Sequence, residues 1–225
     1  MLNDGWIEVG VYGGDRANVE RVRSQLAVMG KLEFRIVADD RFNGEIIAIA
    51  SDPNVTPKDK AFTKTDDGKR KLAAQWCAVS NEELRYLRDG HAAIRENESG
   101  NPQILVLIDD WKVTGADLTS AVPGDDARGN PCIHFALSSD GARRMSELTG
   151  AHLPDPVDPS LRRRLAIVFD GEVRSAPLLT SRIEDRGEVN GNFSEDEVEL
   201  LCATLHAGAL PARLKLVSES VAAPR

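Results

Sequence analysis

The chain has 225 residues, room for one large domain or two small ones with real cores, and a formal charge of −8. That acidic balance disfavours nucleic acid and anionic lipid headgroups as partners, because both want clustered Lys and Arg. The longest apolar runs, such as Ile104-Leu-Val-Leu-Ile108, fall far short of the roughly twenty residues of a membrane-spanning helix, and the polar opening Met1-Leu-Asn-Asp-Gly5 lacks the apolar segment of a signal peptide.

Ile7, Val9 and Val11 alternate up to Gly13-Gly14, and a period of two ended by glycines predicts a strand. Asp15 caps a helix with apolar Val19, Val22, Leu26 and Met29 and a stop at Gly30. Leu32 to Val37 alternates again, so the chain opens strand, helix, strand. Residues 51–71 carry Pro53, Pro57 and Asp66-Asp-Gly68 with no apolar period, and read as an exposed loop. Gln75 to Val79 predicts a strand. Ser80-Asn-Glu-Glu83 has the form of a capping box, in which the Ser oxygen and the Glu carboxylate each satisfy a free amide at a helix start. The short helix carries Leu84 and Leu87 and stops at Gly90; a hairpin then runs from His91 to Glu96 and back from Gln103 to Asp109, turned by residues 99–102.

Beyond Trp111 the pattern starts again. Ile133, Phe135 and Leu137 alternate with Cys132, His134 and Ala136, which predicts a strand with two distinct faces. A helix from Ser139 to Leu148 presents Ala142, Met145 and Leu148, and the proline-rich stretch 152–160 is a surface loop. Leu165 to Phe169 is apolar enough for a buried strand. Asp170-Gly171 is a two-residue hairpin turn, because both central positions need positive φ. Ser194-Glu-Asp-Glu197 is a second capping box, opening a helix with Val198, Leu201, Cys202 and Leu205 on one face. Gly208 ends that helix, and Leu214 and Leu216 alternate in a closing strand. Two α+β units emerge, the first built mainly from the opening 110 or so residues.

Residues of catalytic type are scattered. There is no Gly-x-Ser-x-Gly elbow, no His-Glu-x-x-His and no phosphate loop ending in Gly-Lys-Ser/Thr. His91, His134, His152 and His206 stand apart, and His134 beside Cys132 supplies at best two ligands. Cys77, Cys132 and Cys202 have no C-x-x-C spacing and read as small buried apolar residues. The acidic pairs Asp66-Asp67, Asp109-Asp110 and Asp125-Asp126 each flank a turn, where Asp serves local hydrogen bonds. No enzyme, cofactor or metal is expected.

Six stretches carry a resemblance. Gly30 to Arg35, Val113-Thr-Gly-Ala-Asp-Leu118, Asp140-Gly-Ala142 with Glu147-Leu-Thr149, Arg164 to Gly171, Ser175-Ala-Pro177 and Gly208-Ala-Leu-Pro211 follow one another as in SecD, the membrane subunit that assists protein export through the Sec channel. The order covers most of the chain and resembles SecD's first large periplasmic domain. The resemblance implies an α+β fold: a ferredoxin-like base of residues 1–112 and 207–225, and a smaller inserted α+β head of residues 113–206. It implies a piece of a longer protein, since the family continues into membrane helices where Val221-Ala-Ala-Pro-Arg225 stops.

In function, the resemblance implies a domain on the periplasmic side of the inner membrane that captures and releases unfolded preprotein during proton-driven export. SecF and the SecY channel complex would be its partners through the whole protein. The proton path of the family lies in membrane helices, so no residue here is expected to relay protons. A swinging head asks for hinges at element ends, and Thr114, Gly115, Gly208 and Ala209 sit at the boundary. Preprotein would meet a strand edge or an apolar groove, with Ile133, Phe135, Leu137 and Met145 either bordering it or forming core. The alternatives are a porter domain of a proton-driven efflux transporter and a soluble metal-dependent hydrolase.

Overall fold

The structure, a computed structural model, describes residues 31–87, 91–191 and 193–207, all within one of the chain's two compact units, Gly30–Ala209. The expected strand at 7–11, the helix after Asp15 and the closing strand at 213–217 lie outside the described residues. What is described is α+β, with two sheets and four helices.

The larger sheet has seven strands: β1 (Leu32–Ile36), β2 (Lys60–Lys64), β3 (Arg70–Val79), β4 (Ile94–Glu96), β5 (Pro102–Leu107), β8 (Leu165–Phe169) and β9 (Glu172–Ser175). Their order is β1-β8-β9-β3-β5-β4, with β2 also on β3. Every pairing is antiparallel except the short parallel contact of β3 with β9 at Ala78 and Val79. Past β1 the chain curls back onto β5, where Val37 bridges Val106 and the Ala38 N–H donates to the Leu105 carbonyl at 2.8 Å. Residues 165–175, assigned to the head in the expected division, pair here with β1 and β3.

Both faces of this sheet are buried. One holds Val37, Cys77, Val79, Ile104, Val106, Ala166, Val168 and Val173, closed by Leu84 of α2 (Asn81–Tyr86) and by Leu87, its C-cap. The other holds Ala61, Ala74, Trp76 and Leu105, with Ile46, Ile47 and Ile49 of α1 (Asp40–Ser51) packed on them. Trp76 Nε1–H donates to the Ala50 carbonyl at 3.1 Å, so the indole satisfies its polar atom inside the core. Asp39 caps α1 by accepting from the Arg41 N–H.

The expected loop at 51–71 is corrected: Lys60–Lys64 is a strand registered on Arg70–Gln75, turned through Gly68 at φ 78°. Ala61 alone of its five residues is fully buried, and Arg70 stacks over the Phe62 ring at 4.4 Å. A ribbon that buries one alanine leaves almost no alternation for a sequence reading to detect.

The smaller sheet runs β10 (Arg186–Val189), β7 (Pro131–Leu137), β6 (Leu118–Asp125), antiparallel throughout. α3 (Ser139–Gly150) follows β7, and α4 (Glu195–Ala207) packs along β6 and β7. The Ser194 box is complete: its amide donates to Glu197 Oε2 at 2.9 Å and its Oγ accepts from the Glu197 N–H. The Phe34 and Phe135 rings meet with centroids 5.4 Å apart, joining β1 to the smaller sheet.

Candidate functional site

The smaller sheet separates its two faces residue by residue. Ala121, Ile133, Phe135, Leu137 and Val189 point inward and are buried, as are Met145 and Leu148 of α3. The sequence-predicted contact residues Ile133, Phe135, Leu137 and Met145 therefore sit in the interior, Met145 fully shielded from solvent. Gly187 makes room for Phe135, since a Cβ there would stand 2.8 Å from the ring.

The opposite face is open. Ser120 and Val122, His134 and Ala136, and Arg186 and Glu188 form three adjoining rows around a groove of about 430 Å³, with Val122 47 % exposed. Ala136 keeps the middle of that face low between its neighbours. Cys132 is the exception on this face: it is fully buried, its sulfur 3.5 Å from His134 Nε2, and the His134 ring lies where a Cβ on Gly124 would be. Burial, then Glu188 and Asp126, push its thiol up, which makes it an inert packing residue. His134 Nδ1 lies 3.9 Å from Glu188 Oε1.

The sequence-predicted hinge on the way into this sheet is a fastened junction. Thr114 and Gly115 begin a single 3-10 turn, Gly115–Asp117. The buried Asp117 carboxylate accepts from the Thr114 N–H at 2.9 Å and pairs with Arg144 of α3, while its carbonyl accepts from Ser138 N–H at 2.8 Å. Arg144 Nη1 also donates to the Trp111 carbonyl at 3.4 Å. Gly141 is needed where α3 crosses: a Cβ there would stand 2.6 Å from Asp117 Cβ. Asp117 entered the sequence reading only as part of the Val113–Leu118 stretch and Arg144 not at all, because one arginine on a helix is ordinary on its own. Gly208 and Ala209, the other predicted hinge residues, lie outside the described residues.

Two further polar clusters hold the larger sheet. Arg35, 6 % exposed, donates to Glu33 Oε1 at 2.7 Å and to Asp109 Oδ2 at 3.3 Å. Burial pushes the Glu33 carboxyl up, but Arg35 and Lys31 more than offset it and hold it below the ordinary value. Cys77, on the same face, is pushed up to about 12 by burial, with Glu33 adding to the shift. At the other end, Ser80 Oγ accepts from the Glu83 N–H, but the Glu83 carboxylate does not close the predicted box. It reaches across to the Ala176 N–H at 3.0 Å. Burial raises that carboxyl, partly offset by the Ala176 hydrogen bond and by Arg164.

One member of each acidic pair makes local turn hydrogen bonds, as at Asp67, which accepts from the Lys69 N–H. Asp109 accepts from the Lys112 N–H, Asp110 pairs with Lys71, and Asp126 accepts from the Arg128 and Asn130 amides. Among the described residues, the ligand-type atoms close enough to share an ion belong to Asp39, Asp40 and His91, within 4.8 Å of one another. Both Asp39 oxygens already accept from Arg41, and His91 Nδ1 lies 2.9 Å from Asp40 Oδ1. Also among the described residues, no helix is long and apolar enough to cross a membrane.

Residues 91–212 match the family described as the SecDF P1 head subdomain. The protein translocase subunit SecD of Elusimicrobium minutum is 33 % identical over 97 % of this chain and 41 % of its own length. That of Aquifex aeolicus is 37 % identical over 50 % of this chain and 21 % of its own. The chain thus spans about two fifths or less of the curated relatives it matches. Among solved structures, the membrane component SecDF that enhances protein export superposes with a TM-score of 0.56 at 22 % identity, covering 95 % of this chain and 79 % of that one. SecDF in its super-membrane-facing form gives 0.54 at 24 % identity, over 92 % and 22 %. At these identities the two structures speak for the fold.

Proposed function

The chain belongs to the SecD family, with the SecDF P1 head subdomain at residues 91–212, and from that premise we propose that it is the periplasmic domain of a Sec accessory subunit, capturing and releasing unfolded preprotein during proton-driven export. The family match is the observation that carries the reading, and it favours this over an efflux porter. The domain acts without catalysis; the work is binding, and SecF and the SecY channel complex are its partners through the longer protein.

Base and head correspond in this proposal to the larger and smaller sheets, with β8 and β9 as the strands that return from the head segment to a ferredoxin-like base. Thr114 and Gly115, with Gly208 and Ala209, form the hinge. The fastening of Thr114 through Asp117 gives one resting orientation from which the head departs. Ile133, Phe135, Leu137 and Met145 serve as the packed floor beneath the open face, and that face meets the preprotein.

Amide NMR of the labelled 225-residue chain, titrated with reduced carboxymethylated α-lactalbumin, tests the proposal. That polypeptide is permanently unfolded, and its native form is the control. Shifts with the unfolded form alone are expected. Equal shifts with both, or none with either, would overturn preprotein capture.

A further inference from the structure

Resting on the preprotein reading, we propose that the edge of β10 that no described strand pairs is the capture site, and that an extended polypeptide segment adds there as a fourth strand of the smaller sheet. The pairing with β7 decides which backbone groups are available. The Leu137 N–H donates to the Asp185 carbonyl at 2.8 Å, and the register sets Gly187 opposite Phe135 and Val189 opposite Ile133. Hydrogen-bonded pairs alternate along an antiparallel ladder, so Gly187 and Val189 turn their amides and carbonyls toward β7. Arg186 and Glu188 turn theirs outward. Two donors and two acceptors thus stand at strand spacing along an edge that no described strand pairs. Another extended backbone is the chemistry that matches them, and it does so whatever its sequence.

The edges of β6, β2 and β4 that no described strand pairs carry devices that discourage addition. On β6 the same alternation turns Ala121 and Pro123 outward, and Pro123 has no N–H to offer; a register shift between Leu118 and Ser120 disrupts the strand further. β2 has a register shift at Ala61 and Phe62 and lysines at both ends. β4 is three residues long. β10 has no proline and no register shift, and its two charged side chains, Arg186 and Glu188, have opposite signs and so impose no preference for charge. They also rim the open groove, where alternate side chains of an added strand would come to lie.

The test uses the whole chain and carboxymethylated α-lactalbumin as probe. Hydrogen exchange of the Arg186 and Glu188 amides is expected to slow at least tenfold at saturating probe, with Gly187 unchanged because its amide is already paired. Glu188→Pro removes one outward donor at a position where the β7 ladder does not need it, and is expected to weaken binding at least tenfold. Glu188→Gln, which removes only the charge, is expected to bind within twofold of wild type. The Phe135 and Ile133 amides report whether the proline variant keeps its sheet, and the wild-type exchange result stands without it. Binding that leaves the Arg186 and Glu188 amides unprotected would overturn strand addition while sparing preprotein capture. Absence of binding would overturn both. Protection that grows with protein concentration and no probe would assign the edge to a second copy of this chain.

Discussion

The two sheets differ in how many faces they bury, and that difference separates residues that hold the fold from residues available for contact. In β3, neighbouring Trp76 and Cys77 point to opposite faces and both are buried, because α1 covers one side and Leu84 and Leu87 at the end of α2 close the other. In β7, neighbouring His134 and Phe135 also point to opposite faces, and only Phe135 has a core to enter. A half-covered sheet keeps one face for another molecule at no cost in packing.

The sharpest way to break this comparison is to truncate the large inward aromatics. Trp76→Ala and Phe135→Ala are each expected to cost about 4 kcal/mol in urea unfolding, since both leave a large cavity. A loss under about 1 kcal/mol at Phe135 would mean the smaller sheet has no packed face. Asp117→Ala comes next, at about 3 kcal/mol, because it strands Arg144 and the Thr114 amide together. Asp117→Asn should recover part of that loss, and hydrogen exchange at residues 111–118 would show whether the junction loosens. Cys77→Ser is expected to cost about 2 kcal/mol by placing a hydroxyl in the apolar interior of the larger sheet.

Glu83→Gln reverses the sign. A carboxyl raised in the fold contributes stability that is complete below its ordinary value of 4.5 and is lost as pH rises through the raised one. The amide oxygen still accepts from Ala176 but carries no charge to desolvate. The variant should match wild type at pH 4 and exceed it by ~1 kcal/mol at pH 7. Greater stability for wild type at pH 7 would show that Arg164 outweighs burial. Smallest of all is His134→Ala on the open face, expected within about 0.5 kcal/mol of wild type.

Much of this was legible where local chemistry acts alone. Asp170-Gly171 turns the β8–β9 hairpin with φ 51° and 84°, as a two-residue loop requires, and the alternation of residues 131–137 gave both faces of β7. The misses have a common cause. β6 reads Leu-Thr-Ser-Ala-Val-Pro-Gly-Asp, and its turn-forming residues sit there because it is an edge. β10 reads Arg-Gly-Glu-Val, with the glycine in an inward position because a neighbour's ring fills the space. α1 escaped notice because it is kinked at Asn43 and followed by Gly44. The open face escaped the sequence for a different reason. The alternation marked Ile133, Phe135 and Leu137 as special, but an apolar stripe marks the side that is hidden, and the face left open is identified only once its neighbours are in place.

The pairing of β1 with β8 sets an order of events in the life of the chain. Leu32 finds Phe169 as its partner across well over a hundred residues, and Ala78 waits similarly for Glu172. The β2–β3–β5 and β6–β7 pairings are local and can assemble as the polypeptide emerges, whereas the larger sheet must hold a vacancy until residue 175 or so has arrived. A chain released early would expose β1 unpaired and extended, with Leu32, Phe34 and Ile36 uncovered. A chain of the SecD family thus spends its own maturation in the condition of the unfolded polypeptides it is proposed to hold.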